Sequence, residues 1–205
     1  MSKTDRLKWS YGLISELAQR ALQSANVAFA AYGTERLMRL YYRCDVRRHG
    51  HLDPGVPRLM LGIWRVAQGE ELPSNEVESA REFVQSISLD PEEHEEGFGA
   101  IAALESLLLT LQVCDTGDVK SALGVQELVI NEVYQQLIRK LTEENTGRPD
   151  QNFEDVVWSR ADMLAAKADL LEVMRFAVDN SPLSDVHVEY LKRLAARPLP
   201  YFSEK

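Results

Sequence analysis

The stretch from Phe98 to Val113 constrains this chain more than any other part of it. Its 16 residues, FGAIAALESLLLTLQV, are apolar on nearly every side of a helix and are interrupted by one acid, Glu105. A helix without a water-facing stripe of its own must be surrounded by other elements. The run is too short and too charged for a membrane span, which takes about 20 apolar residues. The expectation is a central helix inside a bundle.

The rest of the chain agrees with that expectation. Prolines 54, 57, 73, 91, 149, 182, 198 and 200 all fall between apolar-periodic segments or in the first turn of one,. Before the HGHLDPGVP loop, the segment from Asp5 to about Arg48 reads as two helices or one bent helix. It carries an apolar stripe (Leu7, Leu13, Ile14, Leu17, Leu22), then small residues from Ala25 to Gly33 suited to close helix approach. Arg58 to Ala67 is a short, mostly buried helix, and Ser74 or Asn75 offers an N-cap for the next,. Thr116-Gly117-Asp118 breaks the apolar run. Further helices are expected to about Leu141, from Asp150 or Asn152 onward, and from about Ser184 to Ala196. No segment alternates with a period of two, so no strand is expected. The spacing predicts an all-α protein: one helical bundle of about seven or eight helices over residues 1–205, with an irregular tail at 197–205.

Charge is distributed unevenly. The chain carries a net −9, yet from Met1 to Arg65 there are 11 Lys and Arg against 5 Asp and Glu. Arg36, Arg39, Arg43 and Arg47 are spaced by 3, 4 and 4, which places them on one helix face,. Guanidinium forks suit planar anions, and Tyr41, Tyr42 and Arg48 beside them add stacking capacity. This stripe is a candidate anion-binding face, or an internal match to the acidic remainder of the molecule. The negative total argues against nucleic acid as its partner. The acidic counterpart is Asp90, Glu92, Glu93, Glu95 and Glu96, five carboxylates in seven residues. Helix-dipole stabilisation, about 0.3–1 kcal/mol each near a helix start, accounts for one or two of them. The excess makes a negative patch that suits a basic partner.

The order of several features resembles the YjaG-like bacterial family, an all-helical family of unknown function. Glu35-Arg36 after a small-residue helix looks like that family's Glu-Arg pair, and Trp64 in LGIWRVAQG looks like its helical tryptophan. Phe98 to Glu105 resembles its aromatic-Gly start followed by an acid inside an apolar helix. A charged, aromatic-containing helix after Phe153 extends the likeness over most of the chain, which departs from the pattern in its Arg-rich stretch from Arg39 to Arg48. The resemblance implies a helical fold and no activity.

Chemistry is sparse. Glu105, amid leucines, would be costly to bury unless paired, and the expectation is a structural buried pair of Arg36 with Glu105. Cys44, Asp45, His49, His51 and Asp53 are the right residue types for a metal, but their spacing matches no zinc pattern and no metal is expected,. No nucleophile elbow, phosphate loop or HExxH occurs. Two cysteines form no disulfide framework, and the N-terminus has no apolar leader run,. We therefore expect a cytoplasmic, non-enzymatic protein without cofactors. Its expected role is to bind another protein, in the sharper form an immunity protein that covers the basic surface of a toxin. The rival is a YjaG-like housekeeping protein that binds a small anion or nucleic acid through the arginine stripe. A homo-oligomer stays open, because an apolar helix face packs internally or on a second copy.

Overall fold

The computed structural model describes residues 3–50, 52–90, 97–144 and 153–197, and among them it contains helices and no strand. In chain order these are α1 (Lys3–Arg20), α2 (Gln23–His49), α3 (Gly55–Ala67), α4 (Ser74–Ser86) and α5 (Gly97–Thr116). They are followed by α6 (Val119–Glu144), α7 (Phe153–Ser159), α8 (Ala161–Asn180) and α9 (Asp185–Ala195). The all-α expectation holds. The first segment takes the two-helix form, breaking between α1 and α2 at Ala21–Leu22, whereas the stretch after Asn152 that reads as one helix divides into α7 and α8 at Arg160, whose ψ of 141° leaves the helical region. Neither break has a proline or glycine to announce it.

Other boundaries follow from chemistry visible in the chain. Gly50 and Gly117 adopt left-handed φ values of 74° and 69°, closing α2 and α5 with N–H bonds to Val46 and Val113 carbonyls, both at 2.8 Å,. Asp118 then caps α6, accepting from the Ser121 amide at 3.0 Å and its hydroxyl at 2.6 Å. Ser74 is not the cap expected of it. Pro73 occupies that position in α4, and the Ser74 hydroxyl donates to Asp115 Oδ1 instead. Asp150, Asn152 and the tail beyond Arg197 lie outside the described residues.

The centre of the bundle is α2, with α5 as its principal partner. Helices α3, α6, α8 and α9 also pack on α2. Its small residues Ala25, Ala28, Ala30, Ala31 and Gly33 are buried and let neighbours approach from more than one side. A Cβ built on Gly33 would lie 2.7 Å from Val125 Cγ1 and 2.8 Å from the Gln126 amide group. A polar seam crosses the α2–α5 contact: Thr34 Oγ1 shares a 2.7 Å hydrogen bond with Thr110 Oγ1 and donates to the Ser106 carbonyl. Gln126 Nε2 donates to the Phe29 carbonyl at 2.7 Å, joining α6 to α2. These bonds satisfy buried polar groups that would otherwise cost about 1–3 kcal/mol each.

Helix α5 is long and apolar enough to cross a bilayer, yet most of it is buried inside the protein. It presents Gly99, Ala103, Ser106, Leu107 and Thr110 inward. One face at its N-terminal end stays open: Phe98 is 64% exposed, and Ile101 and Glu105 are exposed one and two turns on.

Candidate functional site

The second half of α2 carries most of the chain's chemistry. Its residues pass from core to surface in order: Arg36 is buried, Arg39 half-buried, Arg43 and Arg47 exposed. The stripe shares a helix, as its spacing predicts, but its members do not share an environment.

Arg36 lies inside the protein beneath α8. Its Nη1 donates to the Tyr32 hydroxyl at 2.6 Å, one turn back on the same helix, and Asp169 Oδ2 of α8 sits 3.6 Å away. The guanidinium carbon stands 5.5 Å from the Tyr32 ring centroid. The expected pair of Arg36 with Glu105 is therefore incorrect in its second member. Because α5 turns Gly99, Ser106 and Thr110 toward α2, the helical period carries Glu105 to the open side, where water solvates it. Burial raises the Tyr32 hydroxyl above its ordinary value despite the neighbouring Arg36, so it stays protonated.

Glu35, the residue before Arg36, reaches α3 and feels the charge of Lys192 on α9. Its Oε2 accepts a 3.3 Å bond from Trp64 Nε1, and the indole is almost fully buried. Burial pushes the Glu35 carboxyl above the usual carboxylate range, against the Trp64 bond and the charges of Lys192 and Arg39. Lys192 Nζ of α9 lies 6.0 Å from the Trp64 ring centroid and 3.6 Å from Glu189. Arg39 Nη2 donates to the Ala195 carbonyl in the last turn of α9, at 3.3 Å. Burial, then Arg36 and Arg43, lower the Arg39 pKa. Farther along, Arg48 donates to the Ser88 carbonyl, which brings the basic end of α2 to the start of the acidic segment.

Of that acidic segment, Asp90 is described and exposed, whereas Glu92, Glu93, Glu95 and Glu96 lie outside the described residues. Asp45 is occupied structurally: its Oδ2 accepts from the Asp53 amide at 2.8 Å, and His49 Nε2 is 3.7 Å from its other oxygen. His51 lies outside the described residues, and among those described no three metal-ligating side chains gather.

No family model and no curated protein matches the chain. The fold does have a solved counterpart. A DUF416 family protein from Shewanella baltica OS155 superposes with a TM-score of 0.67, over 88% of this chain and 92% of its own, at 12% identity. A likeness at that identity shows the fold alone, and the fold is that of an uncharacterised bacterial helical family.

Sequence reasoning placed Glu35, Arg36 and Trp64 in one set by their resemblance, and the structure brings Glu35 and Trp64 into contact. It missed Tyr32, Asp169 and Lys192. Tyr32 lies four residues before Arg36, so helical spacing alone could have paired them. Asp169 and Lys192 come from distant helices and carry no such local signal.

Proposed function

We propose that this chain is a non-catalytic cytoplasmic protein-binding domain whose partner presents a basic surface. The observation that supports this reading is the open face of α5. In sequence Phe98 follows the acidic segment after one residue, Gly97, and Ile101 and Glu105 continue its face along the helix. An apolar anchor bordered by carboxylates suits recognition of a basic surface, with the aromatic supplying buried area and the charges supplying steering. The sharper form is an immunity protein that covers the basic cleft of a toxin acting on nucleic acid or nucleotides. Under it, Asp90, Glu92, Glu93, Glu95 and Glu96 supply contact charge, and Glu105 adds to it.

The test is capture of partners from the native host at low salt by three versions of the protein. These are the parent, a variant with the five carboxylates replaced by Lys, and Phe98→Ser. A stoichiometric protein that is held by the parent, lost by both variants and toxic without this chain fits the immunity reading. Equal capture by all three overturns the assignment to this face. The rival is a YjaG-like housekeeping protein binding a small anion or nucleic acid by Arg36, Arg39, Arg43 and Arg47. Heparin retention that falls in the double variant Arg39→Ala, Arg43→Ala would favour it.

A further inference from the structure

The open side of α5 is a single stripe. Phe98, Ile101, Glu105, Leu109 and Gln112 are spaced by 3, 4, 4 and 3. Helical geometry sets them one above another on one face, over about 21 Å. The two ends of the stripe differ. At the C-terminal end it is flanked on either side: Arg81 of α4 donates to Gln112, and Leu109 Cδ1 lies 3.2 Å from where a Cβ on Gly124 of α6 would stand. At the N-terminal end it is open, with Phe98 and Ile101 exposed. The stripe is thus an apolar trough on α5 that α4 and α6 wall at one end, with the exposed carboxylate of Glu105 at its midpoint. Acids also stand along the flanking helices. Glu78, one turn before Arg81, and Glu127, one turn after Gly124, are both exposed,. The cations nearby are engaged, Arg81 by Gln112 and Lys120 by Asp118.

We infer that this trough receives a basic amphipathic helix of the partner, laid lengthwise along α5. The inference rests on the protein-binding reading above and adds the form of the partner. Among the described residues there is no strand edge for an extended segment to join, so a helix in a groove is the recognition mode this surface offers,. Apolar residues at helical spacing would cover Phe98, Ile101 and Leu109, while Lys or Arg beside them would meet Glu105 and the acids of α4 and α6. A second copy of the chain is a poorer occupant. Two-fold pairing of the stripes would set Glu105 against its own copy, between molecules that each carry a net −9,.

Panning the full chain against a phage-displayed library of random peptides of about 16 residues, slightly longer than the stripe, tests this. Ile101→Lys serves as the counter-selection, and Glu105→Lys, at a residue already exposed, replaces it if the first variant fails to fold. Peptides held by the parent alone should have apolar residues at helical period and a surplus of Lys and Arg. A recovered peptide, made synthetically, should become helical on binding. Glu105→Lys should weaken that peptide at least about tenfold by placing like charges together, and Val186→Lys, on the exposed face of α9, should leave it unchanged,. Peptides without helical period or basic surplus, or equal affinity in Glu105→Lys, overturn the inference. A dimer of the parent that Ile101→Lys dissolves overturns it in favour of a second copy. Host-partner capture lost in Phe98→Ser with no helical peptide recovered overturns the helical partner and spares the protein-binding reading. Helical peptides recovered while capture is indifferent to Phe98→Ser support the trough and overturn that reading.

Discussion

Glu35 is an acid held where its charge is costly. Burial outweighs the help of Trp64, Lys192 and Arg39, so its folded pKa stands above the ordinary value of 4.5. Between those two values the native state binds more protons than the unfolded chain, and stability falls as pH rises through the window. Above the folded value the penalty is complete. Replacing Glu35 by Gln keeps an acceptor for the indole and removes the titration. The variant's stability relative to the parent, read from urea midpoints, should therefore rise from acid to neutral pH. A difference that stays constant with pH would contradict this account. Asp118 behaves in the opposite sense. Its bonds to Ser121 depress its pKa, so its contribution is present above the unfolded value and disappears as pH falls through the folded one,. Asp118→Ala should cost about 1 kcal/mol at neutral pH, as N-cap losses do, and much less in strong acid. Thermal unfolding at the two pH values checks it.

Among the helices, two glycines should respond oppositely to the same change. Gly62 lies inside α3 with nothing within 4 Å of a built Cβ. Gly62→Ala should stabilise by roughly 0.5–1 kcal/mol, because alanine loses less backbone entropy on folding. Gly33→Ala gains the same propensity but drives a methyl into Val125 and Gln126. Gln126 cannot retreat without breaking its bond to the Phe29 carbonyl, so crowding of about 1–3 kcal/mol should win,. Denaturant melts of the two variants settle the signs, and a stabilising Gly33→Ala would show the α2–α6 contact to be looser than described. Local patterns made most of this level readable from the sequence. Gly50, Gly117 and the small-residue run announced their roles by residue type. The orientation of α5 was not readable, because a helix apolar all round carries no stripe to say which side is uncovered. That is why Glu105 was paired with a core arginine it does not meet. Arg36 was placed correctly as buried, but its partner Asp169 depends on how α8 crosses α2, which is a property of the packed bundle.

At the level of the molecule, the basic first third and the acidic remainder meet where Arg48 reaches Ser88. Part of the charge asymmetry is matched internally by the ion pair of Arg36 with Asp169, 3.6 Å apart between α2 and α8, and what is left over sets association. If the open face of α5 and the acidic segment meet a basic partner, raising salt should slow binding much more than it speeds dissociation. Stopped-flow association at two ionic strengths measures this, and a salt-independent on-rate would remove charge from the recognition.

The position of α2 at the centre of the fold also matters for how the protein is made. Its partners α5, α6, α8 and α9 all lie downstream, and α8 begins only at Ala161. At about 5–20 residues per second of synthesis, the most apolar side of α2 waits several seconds on the ribosome before the last of its cover emerges. The nascent chain should therefore recruit a holdase until α8 leaves the tunnel. Ribosome-bound chains halted within α6 should be cleaved readily at Phe29 or Tyr32 by a protease that spares the finished protein, and protection at that stage would place the folding step earlier.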